Sequence, residues 1–449
     1  MKFSAKEIIL ATNAEVLKNE TQDCDLFEIS TDTRTVKNGD IYLPLKGEKF
    51  DGEKFIDKAV ESGAGAYFTT CEKVEKNAKL VLKVKDTKIA YLEIASFARE
   101  KFNPKVLMIT GSSGKTTTKE MMFSVLNEKF KTHKTALNHN NEIGFCQTVL
   151  SMPEKTEALI IETGMRGLGE IELVAKYAKP DIGIVANVGT AHIGRLGSRE
   201  KIAEAKCEIV DFIKENGTFI AHDDDLIKNK SKRFCGEKIY FSLDNVKIEE
   251  RKIGYTKFKY KNFEFELNVE GDYNVQNSLA SIESGLKLGM NFEEIEKGLK
   301  KYVSIEKRWE SEEIGGYNII NDSYNANPES MKASVGTFLE LYSKEKLLTI
   351  LGDMGELGDK EVQYHEEVGE FLAEKMSKMS NVKMFTVGNL AENIAKKTKE
   401  KGIFTKSFEK NEQVAQYLLE NVEFGTTIFL KASHSMRFEE IIEAIRKGK

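Results

Sequence analysis

With 449 residues, 40% of them apolar and 31% charged, the chain is too long for a single core, and at about 150 residues per domain it reads as roughly three. Its 67 Lys and Arg against 72 Asp and Glu leave a net charge of -5, so there is no overall attraction for nucleic acid or an anionic membrane, and an anionic ligand must be held by local groups. The five cysteines are scattered, odd in number and without a CxxC pair, and the start "MKFSAKEIILATNAE" lacks the pattern of a signal peptide; both point to the reducing cytoplasm and away from a structural zinc.

Along the chain, residues 1–104 contain a turn-rich stretch, "STDTRTVKNGDIYLPLKGEKFDGEKF", then a helix-like segment and "GAYFTT", enough for a small α/β domain. Residues 105–310 alternate apolar runs, "VLMIT", "ALIIE" and "IGIVANV", with helical patterns, which predicts a mostly parallel sheet covered by helices. A second alternating series in residues 311–449, with "YNIINDSY", "KLLTILGD", "MFTVG" and "TTIFLKAS", predicts a further, smaller α/β unit. The charged segment "KYVSIEKRWESEEIGGYN" is the expected joint, near residues 305 to 316. No apolar run reaches the ~18 residues of a membrane span.

The chemistry concentrates in "TGSSGKTTT". Gly111 and Gly114 let backbone N–H groups approach phosphate oxygens, Lys115 supplies a cation, and Thr116 offers a hydroxyl to Mg²⁺. Strand, loop and helix follow in the order a phosphate loop needs, although Ile109 stands where the general spacing requires Gly. Glu162 ends the run "ALIIE", where a carboxylate could hold Mg²⁺ beside the loop or could equally be a solvated strand end. His192 follows another buried-looking strand, and taken alone is a loop histidine. Lys206 lies in "IAEAKCEIV" among apolar helical neighbours, a position for which a snorkelling ammonium is the default.

Taken together in this order, these residues resemble the Mur ligases, ATP-dependent amide-forming enzymes of cell-wall precursor synthesis whose shortened loop GTxGKT reads "GSSGKT" here. Further matching segments span nearly the whole chain: "STDTR", "DGEKF", "HNNEIG", "IETGMRG", "NVGTAHIG", "AKCEI", "GDYNVQN", "NDSYNANPESM", "LGDMGELG" and "LKASHSM". The resemblance is strongest to members that join D-alanyl-D-alanine to UDP-N-acetylmuramoyl-tripeptide. It implies a uridine-binding first domain, a central P-loop ATPase with a mostly parallel sheet, and a C-terminal Rossmann-like domain. It also implies that Gly111, Ser112, Ser113, Gly114, Lys115, Thr116 and Thr117 cradle ATP, with Thr116 and Glu162 on one Mg²⁺ and His192 and a carbamylated Lys206 on a second. Asn277 would contact adenine, Arg308 phosphate and Asp322 ribose; Ser30, Thr33 and Arg34 would form the uridine loop, with Asn141 near the diphosphate and muramoyl group. A cytoplasmic, monomeric enzyme without membrane insertion or nucleic-acid partner is expected.

Three departures stand out. Tyr273 occupies a position usually held by His, Glu53 replaces the His of "DGH", and "GFC" replaces Gly-Val-Pro after Ile143. A carboxylate near a diphosphate would repel it, so Glu53 is left out of the expected site. Two rival readings are a family member adding the third amino acid, which would carry Asp-Asn-Pro-Arg where this chain has "FTVGNLAEN", and a folylpolyglutamate synthase-like ligase, whose phosphate loop lies much nearer the N-terminus.

Overall fold

The structure, a computed structural model, describes the whole chain except residues 48, 49, 73, 75, 76, 137, 138, 305, 306 and 449, so two residues of the expected joint lie outside the described ones. The strand Lys105–Thr110 is buried after its first residue, as a run without polar alternation must be when helices cover both faces of its sheet. It lies inside a six-stranded, all-parallel sheet, flanked by Ala158–Glu162 on one side and Ile182–Val185 on the other. After Lys105–Thr110 the chain first builds the side ending at Thr132–Lys134, then crosses back to build Ile182–Val185, Thr218–His222 and Glu237–Phe241. The loop after Lys105–Thr110 therefore sits at the reversal of strand order, where the carboxyl ends of a parallel sheet open a crevice.

The first sheet, from residues 2–83, has a parallel centre and an antiparallel strand at each edge. The last is parallel except for the hairpin Glu310–Ile314 with Tyr317–Asn321, whose turn uses Gly315 and Gly316, both at positive φ. Glu310 already pairs with Asn321, so the third sheet begins at the residue after Trp309. The mixed α/β, three-part architecture agrees with the expected fold class.

One element is absent from the sequence reading. Residues 246–267 form a three-stranded antiparallel ribbon beside the parallel sheet. Its middle strand, Tyr255–Tyr260, alternates half-buried and buried residues, the period-two pattern of a strand with one covered face. The turn at Lys261 and Asn262, both at positive φ, carries no glycine and so gives a weak hairpin signal. Among the described residues, no helix is long and apolar enough to cross a membrane.

Candidate active site

The phosphate loop is fixed from both sides. Asn187, just past Ile182–Val185, accepts hydrogen bonds from the N–H groups of Ser112 and Ser113, both at 3.0 Å, and donates to the Ser113 carbonyl at 2.9 Å. Ser112 Oγ accepts from the Gly189 N–H at 2.9 Å. Gly114 turns the chain into the helix Lys115–Leu126 at φ 72°, and a Cβ there would lie 2.2 Å from Asn277 Oδ1, so conformation and space both demand glycine. That contact also places Asn277, on the helix Asp272–Lys287, directly against the loop.

Thr116 and Glu162 meet as their strand and helix ends require. Thr116 Oγ1 donates to Glu162 Oε1 at 3.1 Å, and Asn140 Nδ2 donates to the same oxygen at 3.3 Å. Glu162 is buried rather than a solvated strand end, and its Oε2 accepts no hydrogen bond among the described residues, although Lys119 Nζ lies 3.3 Å away as an ion-pair partner. A carboxylate oxygen so placed beside a hydroxyl is a donor set suited to a hard divalent cation. From the joint, Arg308 Nη2 donates to Thr116 Oγ1 at 3.1 Å, with its guanidinium 4.3 Å from the centre of the Tyr324 ring. Burial holds the Lys115 ammonium below its ordinary pKa, with Glu162 opposing and Arg308 reinforcing the shift; its Nζ donates to the Gly111 carbonyl at 2.8 Å.

Lys206 does not snorkel. The residue is 1% exposed at the end of the helix Arg199–Lys206, and burial, with the nearby Lys115 charge adding to it, pushes its pKa well below the usual lysine value. The neutral amine thereby favoured is the form that can take up CO₂. His192, at φ 66°, places Nδ1 2.5 Å from Glu356 Oε2 of the third domain; burial lowers its pKa while Glu356 opposes. Among the described residues no three His, Cys, Asp or Glu side chains cluster as a metal site.

A cavity of about 1120 Å³ joins these groups. Its lining includes residues 112 to 117, Asn141, Glu162, His192, Asn277, Arg308 and Asp322, and Tyr273 at the family's His position. Gly111 and Lys206 are not on its surface, and neither are Ser30, Thr33 and Arg34. Asn141 spends its side-chain oxygen on the N–H of Gly144, capping the helix Glu142–Leu150. Arg34 forks onto Asp32, whose carboxyl is pulled down to about 2 by the Arg34 guanidinium. Glu53 turns onto the Thr70 N–H, within its own domain. Asp322 pairs with Lys431 Nζ at 2.6 Å, and Lys431 is itself buried.

Sequence reasoning missed Asn187, Asn140, Lys119, Lys431, Glu329 and Glu356. Asn187 had the signal that found Glu162, a polar residue closing a buried strand beside the loop. Glu329 lies inside the matching segment "NDSYNANPESM" but was not singled out, because its partner is remote: it accepts from the Thr190 N–H at 3.0 Å and hydroxyl at 2.9 Å across 139 residues of chain.

Comparison with known proteins places these features in a family. Three family profiles match in order: "Mur ligase family, catalytic domain" over residues 27–104, "Mur ligase middle domain" over 109–285, and "Mur ligase, glutamate ligase domain" over 307–434. A Bacillus subtilis protein named UDP-N-acetylmuramoyl-tripeptide–D-alanyl-D-alanine ligase is 36% identical, covering 99% of this chain and 98% of its own, and a Synechocystis protein of that name is 34% identical over 95% and 93%. A crystal structure of MurF from Acinetobacter baumannii superposes with a TM-score of 0.90 at 27% identity, covering 100% and 99%. MurF from Thermotoga maritima, solved in complex with ADP, does so with 0.82 at 28% identity, covering 95% and 99%. With profiles matched across all three parts and relatives aligned end to end, the chain belongs to the Mur ligase family and, within it, to the UDP-N-acetylmuramoyl-tripeptide–D-alanyl-D-alanine ligases.

Proposed function

We propose that this chain joins D-alanyl-D-alanine to the free peptide carboxylate of UDP-N-acetylmuramoyl-tripeptide, using ATP and passing through an acyl phosphate. A carboxylate is a poor electrophile because its oxygen leaves poorly. Transfer of the γ-phosphoryl group to that oxygen makes phosphate the leaving group, which the dipeptide amine then expels as the amide forms. The observation that carries this reading is the continuous line from Arg308 through Thr116 to Glu162 at the strand-order reversal, with Lys115 beside it and both neighbouring domains present in one cavity.

Lys115 is suited to neutralise charge gathering between the β- and γ-phosphates, and its present bond to Gly111 holds the side chain inside the loop. Arg308 brings a planar, permanently charged fork from the joint to the phosphates. Asn277 and Tyr273 flank the loop where a purine would lie, and Asp322, its carboxylate pinned by Lys431, faces the same cavity for the ribose. Thr116 and Glu162 are the residues for a first Mg²⁺, and His192 with a carbamylated Lys206 for a second. Such cations would offset the repulsion between the γ-phosphate and the attacking carboxylate.

Ser30, Thr33 and Arg34 form the proposed uridine loop in a first domain of residues 1–104, with Asn141 toward the diphosphate; residues 105–310 and 311–449 complete the chain, which we take to act as a cytoplasmic monomer. The direct test is phosphate release by pure protein with ATP, Mg²⁺ and the uridine substrate. Release is expected to depend on D-alanyl-D-alanine, and equal release with free D-alanine would sink the assignment.

A further inference from the structure

Arg308 reaches the phosphate loop from a backbone that does not favour its position. Lys307 and Trp309, on either side, have φ of 58° and 57°, the left-handed region that side chains with a Cβ avoid. Two non-glycine residues held this way in one tripeptide persist only where the surroundings impose it. The tripeptide is pinned at three points. The Lys307 carbonyl accepts from the Tyr324 N–H at 3.2 Å, and Glu310 enters the third sheet opposite Asn321. The third point is Trp309. Its ring sits between Tyr273 of the central domain, at 6.3 Å, and Phe429 of the third, at 5.2 Å, and its Nε1–H donates to Glu270 Oε1 at 2.6 Å.

Glu270 is the unexpected member. It is 6% exposed, in the segment leading into the helix Asp272–Lys287, and no cation pairs with its carboxylate among the described residues. Burial raises the pKa of this carboxyl, while the backbone N–H groups of Glu270 and Gly254 and the Trp309 indole all favour its charged form, so hydrogen bonds rather than a cation compensate its burial. What the carboxylate adds is a strong, directional hold on one ring orientation.

We infer that Glu270 is a positioning residue for nucleotide binding: by fixing the Trp309 indole it holds Lys307 and Trp309 in their left-handed conformation and so aims the Arg308 guanidinium at the phosphate site. The inference rests on the proposed role of Arg308 as a phosphate contact. The central domain thereby sets the aim of a cation carried on the joint to the third domain, and the indole is the ring through which it does so. Trp309 is the sole tryptophan of the chain, so indole spectroscopy reports on this contact alone.

The test is calorimetric titration of the full-length protein with the Mg²⁺ complex of a non-hydrolysable ATP analogue, arranged as a mutant cycle. Arg308→Ala is expected to weaken binding about 10- to 100-fold, the range for losing a charge-assisted hydrogen bond. Glu270→Leu and Trp309→Phe are each expected to weaken it about 5- to 10-fold in the native background and to add nothing in the Arg308→Ala background. Glu270→Gln keeps an acceptor and is expected to restore most of the affinity and the near-ultraviolet circular dichroism of the indole. The double variant Glu270→Leu/Trp309→Phe removes the buried charge and its donor together; it is expected to regain thermal stability over Trp309→Phe without regaining affinity, which separates positioning from folding. Wild-type affinity in both Glu270→Leu and Trp309→Phe, while Arg308→Ala binds weakly, overturns the inference and leaves the phosphate reading standing; so does a full additive loss in the Arg308→Ala background. Wild-type affinity in Arg308→Ala overturns both.

Discussion

Replacing Gly114 with Ala tests the phosphate loop through two separable costs. The first is conformational: an L-residue at φ 72° costs about 1–2 kcal/mol relative to glycine. The second is steric. The new Cβ would lie 2.2 Å from Asn277 Oδ1 and 3.0 Å from its Cγ, so the amide must retreat by roughly 1 Å to reach ordinary contact. Asn277 is 9% exposed on a packed helix, and an off-rotamer displacement there costs about 0.5–1.5 kcal/mol. The loop can relax without nucleotide but must be in place to bind it, so the sum, about 1.5–3.5 kcal/mol, should appear as roughly 10- to 400-fold weaker ADP binding. Calorimetry measures this directly. In an Asn277→Ala background only the conformational part remains, and Gly114→Ala should then cost roughly 5- to 30-fold. An equal loss in both backgrounds would show that the Asn277 contact plays no part, and unchanged affinity in the single variant would refute the reasoning outright.

Lys115→Ala should lower kcat by about 10²–10³ while leaving the fold intact, because charge stabilisation in the transition state is lost; near-normal turnover would remove the loop from catalysis. Lys206→Ala should be nearly inactive and partly rescued by acetate, and mass spectrometry of the native protein under bicarbonate should show the added mass of a carbamate; a bare amine together with an active Lys206→Ala would end that proposal. A pH prediction comes from His365, which is fully buried, accepts from the Met354 N–H on Nε2 at 2.9 Å and meets the Glu361 carbonyl through Nδ1 at 2.6 Å. Burial lowers its pKa, so the unfolded chain binds the proton first: stability is complete above about pH 6.5 and falls as pH drops from there toward the folded pKa. Urea denaturation from pH 5 to 8 should give a shallower decline for His365→Gln than for the native chain, and identical slopes would rule the residue out.

The phosphate loop was legible because it closes an apolar run ahead of a helix, whereas Glu162 and His192, ambiguous when taken alone, stood out only together with the loop and the family resemblance. The parallel central sheet was legible because its strands are too apolar to be read as anything else. The ribbon at residues 246–267 was not, since charged residues such as Lys257 and Lys259 face outward along it and dilute the apolar signal, and its turns use Ile253-Gly254 and Lys261-Asn262. Burial of Lys206 was also hidden. Apolar helical neighbours are compatible with a long stem reaching solvent, and only the packing around the helix end decides against it. Asn140 and Lys119 lie within a few residues of recognised segments, yet their roles depend on which carboxylate the fold brings within reach, and that is a fact about distance in space.

The same limit applies most strongly to the third domain, whose matching segments "NDSYNANPESM" and "LGDMGELG" do not reveal what their acidic residues touch. Glu329 binds the backbone and hydroxyl of Thr190, and a Cβ on Gly189 would come within 3.0 Å of its carboxyl carbon. Glu356, at φ 62°, puts its carbonyl on the Gly194 N–H at 3.0 Å and its carboxylate beside His192, while a Cβ on Gly194 would lie 2.5 Å from the Gly358 nitrogen. Two acidic residues from one domain, Glu329 through its carboxylate and Glu356 through its backbone carbonyl and carboxylate, thus hold a single segment, Thr190 to Gly194, that belongs to another. Because His192 lies inside that segment, its placement depends on the third domain being docked. Docking of the third domain and placement of His192 are then one event. An enzyme that makes an acyl phosphate gains from this coupling: a site assembled only when the domains meet also keeps water from the activated carboxylate until the amine is in place.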